Sequence, residues 1–317
     1  MRLSSQEIYE KLLNEYKILE LEGQIKFYLG DVDIVVKQRD VVGNIMQEWL
    51  QGWLDARGIE YAPSVNSQMP PDFFLNPDDK TRNLLEVKAF NRSGSPGFDI
   101  ADFRMYAEEI RDKPYMLDVD YLIFGYDMSQ TGIVTIKDVW LKKVWQITRR
   151  MENYPINLQV KDGVIHKIRP GVWYSERMTD YAIFESLEDF VSAIEETTFK
   201  EPKLRDSVAS TWLMKFLKNY KLLNGIELNV PRWNDIKDKY DNVPDKKIEK
   251  ARGELKKATE RKHKIGERVL KYQQNVIEAS TEKQKVRADE GLEKALDAQK
   301  KANDKYEEIQ ARIDLLM

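Results

Sequence analysis

Apolar residues in the first 240 positions alternate between helical and strand-like spacing. Apolar side chains recur every three or four residues over 41–57, which predicts an amphipathic helix, and residues 1–23 also favour a helix. Short apolar runs between turn residues predict strands over 25–38 (a pair around Gly30-Asp31), 72–75, 84–90 and 120–126, and Asp99 is the predicted N-cap of a helix that extends to Lys113. The order helix, strand, strand, helix, strand predicts an α/β fold with a mixed sheet flanked by helices.

Residues 244–317 follow a different pattern. Apolar side chains recur in heptads along two stretches whose phases do not join across residues 280–291. This predicts a helical coiled-coil tail, either a hairpin or an interrupted rod, whose thin seam packs against the other arm or another subunit. Pro231 and Pro244 bracket a linker. We therefore expect a body over 1–230, a linker over 231–243 and the tail over 244–317.

The amino-acid composition limits the kinds of binding and catalytic site that the chain can contain. The chain has 51 Lys and Arg against 54 Asp and Glu, so a nucleic-acid surface has to be local. The first arm of the tail, 246–271, holds 11 basic residues and is a candidate for such a surface. The absence of cysteine excludes thiolate nucleophiles and Cys-ligated metals and is typical of a cytoplasmic protein. No apolar run approaches the ~20 residues of a membrane span, so we expect no membrane association.

Two predicted strands carry the candidate chemistry. Glu86 and Lys88 are two residues apart on the second strand, so both side chains project from one face, about 6–7 Å apart. If Asp72 lies beside Glu86 on the neighbouring strand, two carboxylates and one ammonium converge. Two oxygen ligands suit Mg²⁺, which keeps several waters and binds phosphate oxygens. The backbone carbonyl of Val87 is a candidate third ligand.

This donor set favours hydrolysis of a phosphodiester. A metal that contacts the scissile phosphate stabilises the added negative charge and lowers the pKa of water. Lys88 would then position or deprotonate that water.

These residues resemble the PD-(D/E)xK nuclease superfamily. The signature consists of Pro71-Asp72, thirteen residues, and then Glu86-Val87-Lys88. The bare pattern is weak, because Pro244-Asp245 also precedes an acidic-x-Lys triplet, Glu254-Leu255-Lys256, within the helical tail. The match at 71–88 is stronger because both carboxylates lie on apolar strands between two predicted helices, the order of the superfamily core. The resemblance implies a restriction-endonuclease-like fold.

A narrower resemblance is to the NgoBV/NlaIV-type restriction endonucleases. It covers residues 40–110, with weaker support to about 220, and rests on the segments Gly43 to Leu50, Asn66 to Phe73, Leu84 to Asn91 and Ser95 to Ala101. It implies a type II enzyme that cuts double-stranded DNA at a palindrome of the GGNNCC kind and works with a DNA methyltransferase. It further implies that Asp72 and Glu86 bind the metal and that Lys88 serves the water, with Glu48 and Gln68 as additional candidates.

DNA contacts and the competing functions stay open. Asn91, Arg92, Ser93 and Ser95 follow the catalytic strand in a loop that either reaches DNA or is an ordinary surface turn. A palindromic target favours a two-fold homodimer, since equivalent surfaces then face equivalent half-sites. The alternatives are a structure-directed repair or recombination nuclease and a non-catalytic DNA-binding or coiled-coil protein. Discrete fragments from plain plasmid DNA would separate the first alternative from a restriction enzyme.

Overall fold

The computed structural model describes residues 1–65 and 69–316. These residues form two compact units. The first comprises Met1–Arg177 and Tyr181–Tyr240, and the second begins at Asp241 and also includes Met178–Asp180. None of the described helices is long and apolar enough to cross a bilayer.

The first unit contains helices and strands up to residue 168 and helices from residue 187 onward, and the second unit contains two helices among the described residues. The helices are α1 (Ser5–Glu10), α2 (Val41–Asp55), α3 (Phe103–Asp112), α4 (Leu187–Thr198), α5 (Pro202–Arg205), α6 (Ala209–Asn224), α7 (Trp233–Ile236), α8 (Val243–Glu278) and α9 (Glu282–Leu316). The strands are β1 (Glu22–Gln24), β2 (Lys26–Leu29), β3 (Val32–Val35), β4 (Ala62–Pro63), β5 (Phe73–Phe74), β6 (Leu84–Asn91), β7 (Ala101–Asp102), β8 (Asp120–Met128), β9 (Ile133–Lys143), β10 (Leu158–Lys161) and β11 (Val164–Ile168).

The main sheet is mixed. Its strand order in the described residues is β1-β9-β8-β6-β5-β4, with β6 and β8 parallel and the other neighbours antiparallel. Strands β10, β11 and β7 form a smaller sheet, and β2 and β3 form a hairpin. The predicted mixed sheet flanked by helices is confirmed.

Each face of the main sheet is covered by its own apolar core. Leu85 and Val87 of β6 pack with α1 and α2 on one face, whereas Leu84 and Phe90 pack with α3, α4 and α6 on the other. Alternate residues of a strand point to opposite faces. Glu86 and Lys88 therefore lie on the α3 face, the only charged positions in an otherwise apolar part of β6.

The start of α3 differs from the sequence prediction. The N-cap is Asp102, whose side chain accepts a hydrogen bond from the Met105 backbone N–H at 3.1 Å, and the predicted cap Asp99 is wrong. Residues 101–102 pair with β11 as strand β7, and this pairing delays the helix by three residues. Asp99 is thereby free to face a cavity described below.

The N-terminal segment is also less helical than predicted. Helix α1 covers only Ser5–Glu10 and continues as a π-helical turn over Lys11–Glu15. Lys17 then adopts a left-handed conformation with φ of 53°, which separates the π-helical turn from a short 3₁₀ turn over Ile18–Glu20. The chain next pairs with β9 as β1, so a tertiary contact replaces the last predicted helical turns.

The second unit contains an antiparallel helical hairpin. Arg312 of α9 forms an ion pair with Glu254 of α8, and Lys262 lies 4.9 Å from the ring centre of Tyr306. The seam buries small and branched side chains: Ala251, Val269, Ala288, Ala295, Ala302, Ile309 and Ile313. The two heptad stretches thus supply each other's partner helix.

Part of the segment expected as a linker lies inside the first unit. Trp233 and Tyr240 are buried, and the Tyr240 ring packs on Phe184 with 5.1 Å between ring centres. Aromatic side chains of this size bury enough apolar surface to hold residues 231–240 on the body.

Candidate active site

A polar cavity of about 720 Å³ opens beside β6 in the first unit. Asp72, Glu86 and Lys88 line it together. The other polar lining side chains are Arg39, Asp40, Asn44, Gln47, Asn91, Ser95, Asp99, Tyr126 and Lys167. The structure thus brings the three principal candidates from the sequence into one concave site.

Strand register places Asp72 opposite Glu86. The antiparallel pair β5-β6 matches Phe73 with Leu85, so the residue before Phe73 lies level with the residue after Leu85. The Val87 backbone N–H donates to Asp72 Oδ2 at 2.8 Å and fixes this carboxylate at the edge of β6. Strand β5 begins at Phe73, so Asp72 precedes the strand and lies outside its ladder with β6.

Glu86 and Lys88 form a close ion pair on the shared face. Lys88 Nζ lies 2.6 Å from Glu86 Oε1, and the two side chains are 20% and 6% exposed. Burial lowers the pKa of Lys88, but the charge and hydrogen bond of Glu86, with Asp72 and Asp99 nearby, outweigh it and raise the pKa overall. Lys88 is therefore an ammonium that can donate hydrogen bonds into the cavity.

The environment of Asp72 opposes a second negative charge. Burial and the adjacent Glu86 raise the pKa of Asp72 to about 7, against the opposing effects of the Val87 N–H and Lys88. Two carboxylates held this close repel each other when both are ionised. A cation between them would remove that repulsion, so the arrangement fits a metal ion better than it fits two free carboxylates.

One oxygen of the site has an unused acceptor capacity. Glu86 Oε2 is buried and has no hydrogen-bond partner among the described residues. The hydroxyl groups of Tyr106 and Tyr121 are buried in the same core and are likewise without a partner there. A buried carboxylate oxygen without a partner is costly, and a bound cation would satisfy it.

The donor set available to such a cation is small. The described residues contain no group of three or more His, Asp or Glu side chains arranged for a metal ion. In a strand the N–H and C=O of one residue point to the same side, and the Val87 N–H points at Asp72, so the Val87 carbonyl lies on that edge too. Two carboxylates and one carbonyl suit a hard cation that takes its remaining ligands from water and phosphate.

The two additional candidates from the resemblance fare differently. Glu48 on α2 is exposed and does not line the cavity, whereas its neighbour Gln47 and Asn44, one turn earlier, do. The polar face of α2 that meets the cavity is thus rotated away from Glu48. Gln68 lies outside the described residues.

The four candidates for DNA contact occupy distinct environments. Asn91 and Ser95 line the cavity. Asn91 Oδ1 accepts from the Ser93 N–H at 2.9 Å and from the Ser93 hydroxyl at 2.7 Å, which closes a tight turn that leaves Ser93 exposed. Arg92 instead pairs with Asp138 on the sheet, so it does not extend from the turn.

Arg92 is packed as a structural residue. Its guanidinium lies 5.4 Å from the Trp140 ring centre and 5.1 Å from that of Tyr174. Its aliphatic part lies over Gly125, where any side chain would collide with it. The stem of an arginine can contribute as much through packing as the head does through charge.

We expect Arg92→Ala to lower the free energy of unfolding by about 1–2 kcal/mol, because the substitution removes the cation–π contacts and the ion pair with Asp138. Urea unfolding of the full chain would measure it. Arg92→Lys is the matched control, and it should recover the charge but not the stacking. Unchanged stability with weakened DNA binding would instead support the role in DNA contact that the sequence suggested.

Sequence reasoning missed several polar residues of the cavity. Asp99 contributes to the field at Lys88 and forms an ion pair with Arg169, and Lys167 reaches the cavity from β11. Asp99 was detectable as a carboxylate close to the signature, but its pattern equally suited a helix cap. Lys167 comes from a distant strand, so no local pattern could have associated it with the site.

Comparison with known proteins shows strong similarity over the part of the chain that contains the cavity. The family model described as NgoBV restriction endonuclease matches residues 2–240. The type II restriction enzyme NlaIV of Neisseria lactamica is 64% identical over 240 residues, which are 76% of this chain and 98% of NlaIV. The type II restriction enzyme NgoBV of Neisseria gonorrhoeae is 60% identical over 161 residues, 51% of this chain and 91% of NgoBV.

A solved structure has the same fold. The NlaIV restriction endonuclease superposes with a TM-score of 0.74 at 63% identity and covers 76% of this chain and 98% of its own. The family model ends at residue 240, so the hairpin of α8 and α9 lies outside the region it matches.

Proposed function

Because the chain belongs to the NgoBV restriction endonuclease family and is therefore a type II restriction enzyme, we propose that Asp72, Glu86 and Lys88 form its DNA-cleaving site. Type II restriction endonucleases act on double-stranded DNA and use divalent metal ions. We propose Mg²⁺ for this chain, since oxygen ligands and a polar, hydrated cavity suit that ion. The observation that carries the proposal is the convergence of two carboxylates and one ammonium in one cavity.

Each group has a role that follows from its position. Asp72 and Glu86 would hold the cation, helped by the Val87 carbonyl. When bound, the divalent ion would supply Lewis-acid stabilisation of the negative charge that develops on the phosphate. Lys88, an ammonium two residues from Glu86, would donate to a phosphate oxygen or orient the attacking water.

The cavity surroundings would position the substrate. Asn44, Gln47 and Asn91 offer amide groups that hydrogen-bond to sugar-phosphate or base edges, and Lys167 adds a positive charge. Arg39 and Ser95 lie on the same lining. These are the side chains we propose as DNA contacts of the body. Glu48 is not among them.

We propose that the target is a short palindrome, with GGNNCC as the pattern that the family resemblance implies. A two-fold homodimer would present one active site to each strand. A restriction enzyme is tolerated by its host only when the host DNA is protected, so we propose a DNA methyltransferase as functional partner and the cytoplasm as the place of action. The body that ends at Tyr240 would carry the nuclease activity.

Digestion of a plasmid of known sequence tests these proposals together. With Mg²⁺ we expect discrete fragments whose ends share one two-fold symmetric sequence, and with EDTA we expect none. End sequencing identifies the recognition site. A Glu86→Gln sample purified in parallel excludes a contaminating nuclease. Undiminished cutting in EDTA would refute the metal site, and cutting only at branched or damaged DNA would support the repair alternative.

A further inference from the structure

One face of α8 carries a stripe of cations. We call this set the basic stripe: Lys250, Lys257, Arg261, Lys264, Arg268 and Lys271. A helix advances 100° and 1.5 Å per residue, so these six residues lie within about 80° of the helix circumference and along about 32 Å of its axis. All six side chains are exposed.

The spacing of cations in the basic stripe destabilises the isolated helix. Lys257 and Arg261 are four residues apart, as are Lys264 and Arg268, and cations at this spacing repel each other. Glu260 and Glu267 lie along one edge of the stripe, but no stripe cation forms an ion pair within the described residues. The guanidinium of Arg268 lies over the Tyr272 ring, and Lys250 is close enough to Glu254 to help lower the pKa of that carboxylate, which itself pairs with Arg312.

The other helix of the hairpin, α9, carries ion pairs at the i,i+3 and i,i+4 spacings that are usual on exposed helices. On α9, Lys301 pairs with Asp297 at 2.7 Å and Lys305 pairs with Glu308 at 2.8 Å. Helix α9 carries nine acidic and eight basic side chains, so it has no excess of positive charge, whereas α8 carries eleven basic and six acidic side chains. The net positive charge of the hairpin thus lies on α8.

Packing of the hairpin leaves the stripe accessible in this unit. The residues of α8 that face α9, among them Ala251 and Val269, lie about a third of a turn round the helix from the stripe. The stripe therefore serves no purpose in holding α8 to α9. Its charge is available to an external anion.

Double-stranded DNA is opposite to the basic stripe in charge and comparable to it in length. The duplex carries one negative charge per about 1.7 Å, and one helical turn spans about 34–36 Å, close to the length of the stripe. We propose that the basic stripe of α8 binds the phosphate backbone of DNA without regard to sequence, as a second DNA-binding surface additional to the active-site cavity. It would hold the enzyme on long DNA through counterion release.

Binding to a duplex without a recognition site tests the proposal. The full chain would be titrated with poly(dA)·poly(dT) in EDTA at several salt concentrations, so that no cleavage occurs. The test variant is Lys257→Gln, Arg261→Gln, Lys264→Gln and Arg268→Gln combined. The matched control carries Lys283→Gln, Lys285→Gln, Lys294→Gln and Lys300→Gln on exposed positions of α9.

We expect the stripe variant to lose at least about tenfold in affinity at low salt and to show a slope of log K against log salt that is smaller by about three to four, since each phosphate contact contributes about 0.9. The control should keep a slope within about one of the wild type. A wild-type slope in the stripe variant, or an equal loss in both variants, would overturn the proposal. Circular dichroism would verify that both variants keep their helices. Because the assay needs no cleavage, its outcome is independent of the proposed metal site.

Discussion

Replacement of Glu86 by glutamine is expected to slow single-turnover DNA cleavage by about two to four orders of magnitude, while DNA binding in EDTA is retained. The amide keeps the shape but removes the charge that would hold the cation and that pairs with Lys88. Metal stabilisation of a transition state is worth several kcal/mol, and each 1.36 kcal/mol is a factor of ten in rate. Cleavage of a duplex that contains the recognition site, with enzyme in excess, measures the effect.

Two further variants locate the effect at the site. Lys88→Ala should also cost about two to four orders of magnitude in rate, because it removes the ammonium that would donate to the reacting phosphate and that pairs with Glu86, and circular dichroism would check that the fold is kept. Glu152→Gln, at an exposed position of a loop, removes the same charge elsewhere and should cleave like the wild type. Near-normal rates in Glu86→Gln and Lys88→Ala would mean that the chemistry takes place at another site.

The core of the candidate site was predictable because its signal is local. Glu86 and Lys88 interrupt an apolar strand at a spacing of two, and a strand puts such residues on one face whatever surrounds it. The position of Asp72 beside Glu86 was predicted by interpreting residues 72–75 and 84–90 as two neighbouring strands, although β5 is only two residues long. Sequence alone does not show which face of the sheet Glu86 and Lys88 occupy. That choice, and the burial of Tyr106 and Tyr121 in the core on the same face, depends on packing.

Elsewhere, tertiary contacts override local patterns. Asp99 and Asp102 are equally good caps in sequence, and only the pairing of β7 with β11 selects Asp102. Arg92 follows a catalytic strand in a polar loop, which favours DNA contact, yet Trp140 and Asp138 of β9 hold it on the sheet. Such choices depend on residues more than forty positions away, which no window of sequence contains.

The heptad pattern predicted two helices, and their pairing decides the topology. A seam with many alanines buries little surface and needs a partner helix. In this chain the partner of α8 is α9, and the two helices approach closely where Gly291 packs against Tyr272. Sequence could not choose between hairpin and rod, because both bury the same heptad positions. The basic residues of α8 could be counted in the sequence, but the structure was needed to show that the basic stripe forms no ion pair among the described residues.

Replacement of Trp212 by alanine is expected to lower the free energy of unfolding of the body by about 3–5 kcal/mol, the usual cost of truncating a large buried aromatic residue. Trp212 on α6 is fully buried and stacks on Phe216 with 5.4 Å between ring centres. Its indole N–H donates to the Ala107 carbonyl of α3 at 2.7 Å. The indole therefore fixes α6 to the helix that covers the Glu86 face of the sheet.

Urea unfolding of the full chain, followed by fluorescence and circular dichroism of the same samples, would measure the loss for Trp212→Ala. Trp212→Phe keeps the ring stacking but removes the hydrogen bond, so it should lose less. Because Trp212 does not line the cavity, the molecules that remain folded at low temperature should cleave DNA at a rate close to wild type. A variant of unchanged stability would show that α6 does not anchor α3. A stable variant without activity would give Trp212 a role in the site itself.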